Sequence, residues 1–461
     1  MELTRKLATF AANTGYAQLP ADVVRQTKSV IMDTLGCGVA GYTIAHEELA
    51  PLIRLAKSQG GAGKAMIFCD GHMTTASQAA FANGGIIHTI DFDDANATCF
   101  GHFGATLLPT VAALGQERGA SGPQVIAAFA VGYDIAARVG RTVWPSHYDH
   151  WHPTATMGNI GAAVAAGKLL GFDAGKMDRA ISLAADEAAG LRYCIDHGDF
   201  SKLLHPALAA MKGVMVALLV DGGATGPQGL LEYKSGFCNT FSSSPNPEAG
   251  VEDLGERFEI MNDIIKAFPT INCSQAPIQG MLELIARHDI AAADIEHIHV
   301  TRMYRYASKE QGINYAPETV LAARLSIPFC VSLAAHRRRV TLDEFTRDNL
   351  RDPSINALMR KVEITMDEEL NRKYPGGTAA MGLRVRVKNG REFEQFVRYP
   401  VGNPNNPMSP EDVQRKFATL AGRTLDDGRI GQLSDMLSRL ETLGDITELV
   451  GLVRHVEAGA A

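Results

Sequence analysis

Apolar residues dominate one side of most of the first 265 positions in a pattern that predicts helices rather than strands. Leu3 to Ala12 reads as a first amphipathic helix, and Pro20 stands where a second begins and runs into SVIMDTLGCGVAG. Gly36, Gly38 and Gly41 in that run predict close helix packing and a C-terminal stop. MIFCDG at 66–71 reads as a short extended excursion or a turn. From 73 to 235 the segments become alanine-rich and almost continuously apolar. GPQVIAAFAVGYDIAARVGRTV, TMGNIGAAVAAGKLLG and LHPALAAMKGVMVALLVDGG offer little polar face, as helices buried on most sides require.

A Ser- and Pro-rich stretch at about 239–265, containing NTFSSSPNPEAG, predicts a linker. Beyond Lys266 the period changes to two in IEHIHVTRMY (295–304), KVEITM (361–366) and GLRVRVKNGREFEQFVRYP (382–400), with Asn389-Gly390 as a hairpin turn. Between these strands PETVLAARLSIPFCVSLAAHR reads as a helix bent or broken at Pro328. Ser409-Pro410-Glu411-Asp412 supplies a cap, a first-turn proline and an acid in order, and the chain is helical again to Val450. The expected fold is therefore mainly α. A large helical domain is built from 1–265 and the C-terminal helices of 401–461, and a smaller α+β domain spans 266–400.

At 461 residues two domains are the natural expectation, and 46% hydrophobic with 21% charged residues is ordinary globular composition. A net charge of -7 without a basic stripe argues against a nucleic-acid partner, and HRRRV at 336–340 reads as a solvated helix end. Seven scattered cysteines with no close pair argue against a zinc or iron–sulfur knuckle and for a reduced, cytoplasmic protein. The start lacks an apolar signal region, and the runs near 121–133 and 207–221 read as too short or too interrupted by glycine to span a membrane. Neither GxGxxG after a strand nor GxxxxGK[ST] is present, so no nucleotide cofactor is expected.

Chemistry concentrates in three stretches: FANGGIIHTIDFDDANATCFGHFGATLLPT at 81–110, WPSHYDHWHPT at 144–154 and DHGDFSKLLHP at 196–206. Such groups between apolar helices suggest the walls of one polar pocket. Asp91, Asp93 and Asp94 are open to three readings: a solvated turn, a pocket carboxylate or a metal site. His88 and Asp91 are three apart, so on a helix they would share a face and Asp91 would orient the imidazole. His102 between glycines reads as a core or cap histidine, or as one facing the same cavity as Asp91. His147, His150 and His152 are too irregularly spaced for one zinc-binding helical face, and no metal is expected. His152 opens a helix whose first-turn amides could hold a carboxylate. Lys202 and Lys266 read either as snorkelling surface lysines or as partners of an anionic substrate.

These residues, with MDTLGCGVAG, ANGGIIHTIDFDD, GHFGATLLPT, HPTATMGNIGAAVAAGKLLG, KAFPTINCS, ARLSIPFCVS and VGNPNNPMSPEDVQRKF, resemble the MmgE/PrpD family over nearly the whole chain. That family is 2-methylcitrate dehydratase-like and includes cis-aconitate decarboxylases and an iminodisuccinate epimerase. The resemblance implies a large all-helical domain, a smaller α+β lid domain, a homodimer, and no cofactor. It implies Asp91, His102 and His152 as catalytic residues, with Lys202, Lys266 and the position of Phe329 facing a small carboxylate substrate; His88, from its spacing to Asp91, is expected to join the substrate-binding residues. Phe329 stands where the family carries an aromatic hydroxyl, and phenylalanine cannot relay a proton. Ala95 replaces a threonine common in the decarboxylase branch and Phe103 a proline after the histidine, departures that count against a decarboxylase and leave the reaction open; a hydro-lyase stands first as the family's commonest implied activity and an epimerase next. The rival class is a carboxylate-binding protein without catalysis.

Overall fold

Alanine and glycine on the apolar helices let their backbones come closer than larger side chains permit, and the architecture follows from that. The structure, a computed structural model, describes residues 2–303, 311–374 and 380–455. It is mainly α with a smaller α+β domain. Helix Ser201–Asp221 packs on both Pro153–Leu169 and Ala76–His88, and Gly104–Arg118 lies against Ala76–His88 and Pro153–Leu169. At the first crossing a Cβ on Gly213 would stand 2.3 Å from the Ala162 Cβ, and at the second one on Gly84 would stand 2.8 Å from the Pro206 carbonyl oxygen. Only glycine fits there.

The first hydrophobic cluster runs from Leu3 to Ile265, takes in Leu342, and resumes with Val413, Phe417 and Leu420 through Val453. Helix Pro410–Ala421 packs along Ala21–Ile44, with the Phe417 ring 3.2 Å from where a Gly36 Cβ would be. Lys416 binds Asp33 at 2.7 Å and donates to the Phe92 carbonyl at 2.9 Å. Ser409 caps this helix by accepting from the Asp412 amide, as the sequence pattern predicts. A second cluster holds Ile278, Ile298, Phe329, Leu333, Val362 and Val385. Its four-stranded sheet has the order Val362–Asp367, Ile295–Met303, Met381–Val387, Glu392–Val397, parallel at the first pairing and antiparallel at the others. The expected end of the first strand, Tyr304, lies outside the described residues. Gly390 takes φ 81° in the hairpin turn.

Four expectations are corrected. Helix Ala21–Ile44 does not stop at Gly41; that glycine instead admits the Ile86 carbonyl, 2.4 Å from where its Cβ would be. Pro328 does not bend a long helix, because it occupies the first turn of a new one, Ile327–Arg337, whose cap Ser326 accepts from the Phe329 amide. The linker at 239–265 is not merely a loop: Asp263–Ile264 pairs with Ala95–Asn96 and brings an acid back to the first chemical stretch. The run at 207–221 belongs to a 21-residue helix that Gly213 does not interrupt, long and apolar enough to cross a membrane, although 56% of its most apolar window is packed inside the protein.

The glycine contacts set a measurable contrast. Gly213→Val drives side-chain carbons into the Ala162 backbone and should cost about 1–3 kcal/mol, lowering Tm by several degrees. Gly431→Ala, in a helix and with nothing within 4 Å of the added carbon, should be neutral or stabilising by about 0.5–1 kcal/mol. Equal Tm shifts in the two variants would contradict this packing.

Candidate active site

Helix Ala76–His88 ends on His88, and the chain then turns at Asp91, which takes the left-handed φ of 51°. An aspartate tolerates that conformation where few other residues do. The turn breaks the helical spacing, so Asp91 does not orient His88 as three-residue spacing suggested. Asp93 does, accepting from His88 Nδ1 at 2.8 Å. Asp91 Oδ1 instead binds Lys266 at 2.8 Å and Lys202 at 3.2 Å, and the Lys266 ammonium also donates to the Asp91 carbonyl at 3.0 Å. Lys202 Nζ lies 2.8 Å from His88 Nε2. Both lysines are buried, 2% and 0% exposed, so neither is the snorkelling surface residue the sequence left open.

The acid segment is not a solvated turn: Asp91, Asp93 and Asp94 are 1% exposed or less. Burial raises the Asp91 carboxyl, but Lys202, Lys266, His102 and His88 outweigh it and hold the group below the ordinary carboxylate range. Asp93 is likewise held low, by His88 and His102 against burial. Asp94 plays a different part. Both its oxygens accept from the Gly104 amide, at 2.9 and 3.1 Å, at the start of helix Gly104–Arg118. It also faces Asp263, whose Oδ1 accepts from the Tyr133 hydroxyl at 2.6 Å. Burial pushes both carboxyls upward; the Asp263 charge raises Asp94 further, while the hydrogen bonds from Tyr133 and with Asp94 only partly offset burial at Asp263, so the pair retains a proton.

His102 is fixed at two points. Its amide donates to Thr154 Oγ1 at 3.0 Å, and its Nδ1 lies 2.6 Å from the Asp94 carbonyl oxygen. A carbonyl only accepts, so Nδ1 carries the proton and the neutral ring presents an unprotonated Nε2. Burial, with Lys266 adding to it, keeps the imidazole well below its usual pKa. The His88 and His102 rings meet edge to face at 4.6 Å, and His152 lies 6.2 Å from His102. His152 Nδ1 is 2.9 Å from His205 Nδ1, with Cys194 Sγ 3.5 Å from the same His205 atom. Burial lowers His205 to about 4 and raises Cys194 to about 12.

The three chemical stretches thus meet in one cluster of buried His88, Asp91, Asp93, His102, His152 and Lys202 with half-buried His205, completed by Lys266 from the domain junction. His147 does not join it: its ring binds Thr156 Oγ1 at 2.9 Å and stacks on Phe241, while Asp149 and His150 are exposed. Phe329 is not in the cluster either. Its ring is buried in the small domain's core, 6.2 Å from Phe345. Donor atoms of His88, His102 and His152 lie within 4.8 Å of one another, as do those of His152, Cys194 and His205 and those of Asp91, Asp93 and His102. A cation at the first set would compete with existing bonds, since His88 is engaged at both nitrogens, one of them by an ammonium.

Sequence reading missed His205, Cys194, Asp263 and Arg324. The last had a signal: it is the lone charge between Leu321 and Ala335. Its buried guanidinium reaches from the small domain to the Thr89 carbonyl oxygen at 3.3 Å.

Comparison with known proteins identifies the family of the chain. The MmgE/PrpD N-terminal domain matches residues 5–250 and the MmgE/PrpD C-terminal domain residues 268–440. A cis-aconitate decarboxylase of Aspergillus terreus is 26% identical over 477 residues, covering 98% of this chain and 96% of the relative. The cis-aconitate decarboxylase of Homo sapiens is 24% identical over 466 residues, covering 98% and 94%.

The Asp94–Asp263 pair makes stability fall with rising pH. An unfolded aspartate releases its proton near pH ~3.9, whereas the folded pair holds one well above that, so folding binds a proton and this contribution is lost as pH climbs from about 4 toward neutrality. Asp263→Asn removes that proton exchange. Its Tm relative to the unsubstituted protein should therefore rise between pH 4 and 7, and a pH-independent difference would show that the pair shares no proton.

Proposed function

Because the chain belongs to the MmgE/PrpD family, we propose that it is a lyase moving a proton at a carbon next to a carboxylate of a small di- or tricarboxylate. The observation that carries this reading is His102, buried, neutral and tautomerically fixed with Nε2 unprotonated. A base prepared in that form begins chemistry by taking a proton rather than giving one. Each lysine has three donors and uses two among the described residues: Lys266 on the Asp91 carboxylate and carbonyl, Lys202 on His88 and Asp91. The remaining N–H of each can meet a substrate carboxylate as it takes on enolate charge, in a water-poor site where such bonds are strong.

Among the family's reactions this favours dehydration of the 2-methylcitrate type. His102 Nε2 takes the proton from the carbon next to the carboxylate. The departing hydroxyl then receives that proton and leaves as water, which returns the imidazole to its starting form. Asp91, ionised and held by two ammonium groups, positions the lysines and is too weak a base to carry the proton. His152 borders the same space through His88 and His102. The relatives' names favour a second reading, decarboxylation of a cis-aconitate-like acid, in which the same cations stabilise the carbanion left by carbon dioxide. Epimerisation, the third, shares the abstraction step.

Incubation in heavy water with citrate-, 2-methylcitrate-, aconitate- and aspartate-like acids separates the three. Loss of water is the expected outcome; loss of carbon dioxide moves the assignment to the decarboxylase, and isotope exchange without mass loss to the epimerase. No reaction and no exchange with any of them would remove the enzyme reading.

His102→Gln should cut kcat by about 10²- to 10⁴-fold with Tm little changed. A base must be unprotonated to act, and His102 is held well below pH ~6.5, so kcat/KM of the unsubstituted protein should stay level from pH 8 to below 6.5. A limb near 6.5 that survives in His102→Gln would assign the base elsewhere.

A further inference from the structure

Charge in the cluster balances until Arg324 is counted. Asp91 and Asp93 are matched by Lys202 and Lys266, whereas Arg324, 2% exposed, has no ion pair among the described residues. Burial lowers its pKa to about 10, with Asp91 and Glu48 acting in the opposite sense, so it stays charged at neutral pH. A buried charge without a counter-ion is costly to keep, and such groups persist where they have a partner in some other state.

The geometry says what that partner is. Nη1 is anchored on the Thr89 carbonyl oxygen, two residues before Asp91, and the guanidinium lies over the Phe345 ring at 5.4 Å. Nε and Nη2 have no hydrogen-bond partner among the described residues. These two nitrogens form the edge of a guanidinium whose parallel N–H bonds match the two oxygens of one carboxylate. The segment around Arg324 is docked against the helical domain beside the segments that carry the two lysines. Ala322 packs on Gly198, just ahead of the helix that carries Lys202, and the Arg324 carbonyl accepts from the Ile271 amide, beyond Lys266. Phe329, behind Phe345, supports the ring on which the guanidinium lies.

We propose that Arg324 binds one carboxylate of the substrate through Nε and Nη2, as the small domain's contribution to a site otherwise built by the helical domain and the junction. This rests on the carboxylate-lyase reading above. Arg324, Asp91, Lys202 and Lys266 are all buried, and a substrate carboxylate would supply the guanidinium with a counter-ion.

The test is calorimetric titration of citrate and of propane-1,2,3-tricarboxylate, in buffer free of other carboxylates, with Tm measured without ligand. Arg324→Gln should weaken binding by about 10- to 100-fold, the usual worth of charge-assisted bonds. Its ligand-free Tm should be no lower than that of the unsubstituted protein, because the uncompensated charge is gone; a merely structural latch would lower Tm and spare affinity. Arg324→Lys keeps charge and fold but not the two-pronged edge, and should restore only part of the affinity. Affinity within twofold of the unsubstituted protein in folded Arg324→Lys or Arg324→Gln would overturn this assignment and leave the carboxylate reading standing. Failure of the unsubstituted protein to bind either acid would overturn both.

Discussion

One carboxylate between two ammonium groups holds the molecule's parts in register. Asp91 lies in the turn after Ala76–His88, Lys202 in the first turn of Ser201–Asp221, and Lys266 at the junction of the domains, yet all three meet within 3.2 Å with 2% exposure or less. Removing one member of such a buried set leaves an uncompensated charge, a loss of about 3–5 kcal/mol in comparable cases. Lys266 therefore serves stability whatever else it does. The left-handed backbone at Asp91 is the local strain that the two ion pairs offset.

Proton positions follow from the same set. Burial disfavours the charged imidazole and the ammonium groups add to it, so His88, His102 and His152 are all lowered from the usual imidazole pKa. Lys202 against His88 Nε2 places the His88 proton on Nδ1, where Asp93 accepts it. One layer further out, Asp94 and Asp263 keep a proton between them, and Asp94 also ties the acid segment to the start of Gly104–Arg118. A Cβ on Gly104 would stand 2.3 Å from Asp94 Oδ1, so that tie requires a residue without a side chain. Close helix packing thus sets the frame, and the buried charges inside it set the chemistry.

Much of this was legible in the chain. Alanine-rich runs without a polar face could only be interior helices, period-two alternation marked the small domain's strands, and the three stretches rich in His, Asp and Lys do form one cluster. What escaped depended on where helices end and on contacts distant in sequence. Helical spacing paired His88 with Asp91, but the helix stops at His88 and Asp93 takes the place. Pro328 was visible as a break, though not as the first turn of a new helix. Phe329 matched a site position by motif, yet its ring supports Phe345 in the core, and the charge that reaches the acid segment is Arg324, five residues earlier. Asp263 lay in a stretch read as linker, and only its pairing with Asn96 brings it beside Asp94.

The protonation state of His102 bears most directly on the account. In protein labelled with ¹⁵N-histidine, the imidazole resonances that disappear in His102→Gln report both its tautomer and its titration. The account predicts a neutral ring protonated at Nδ1 and unchanged from pH 8 down to pH 6. An Nε2-protonated ring, or one that titrates near pH ~6.5, would contradict it.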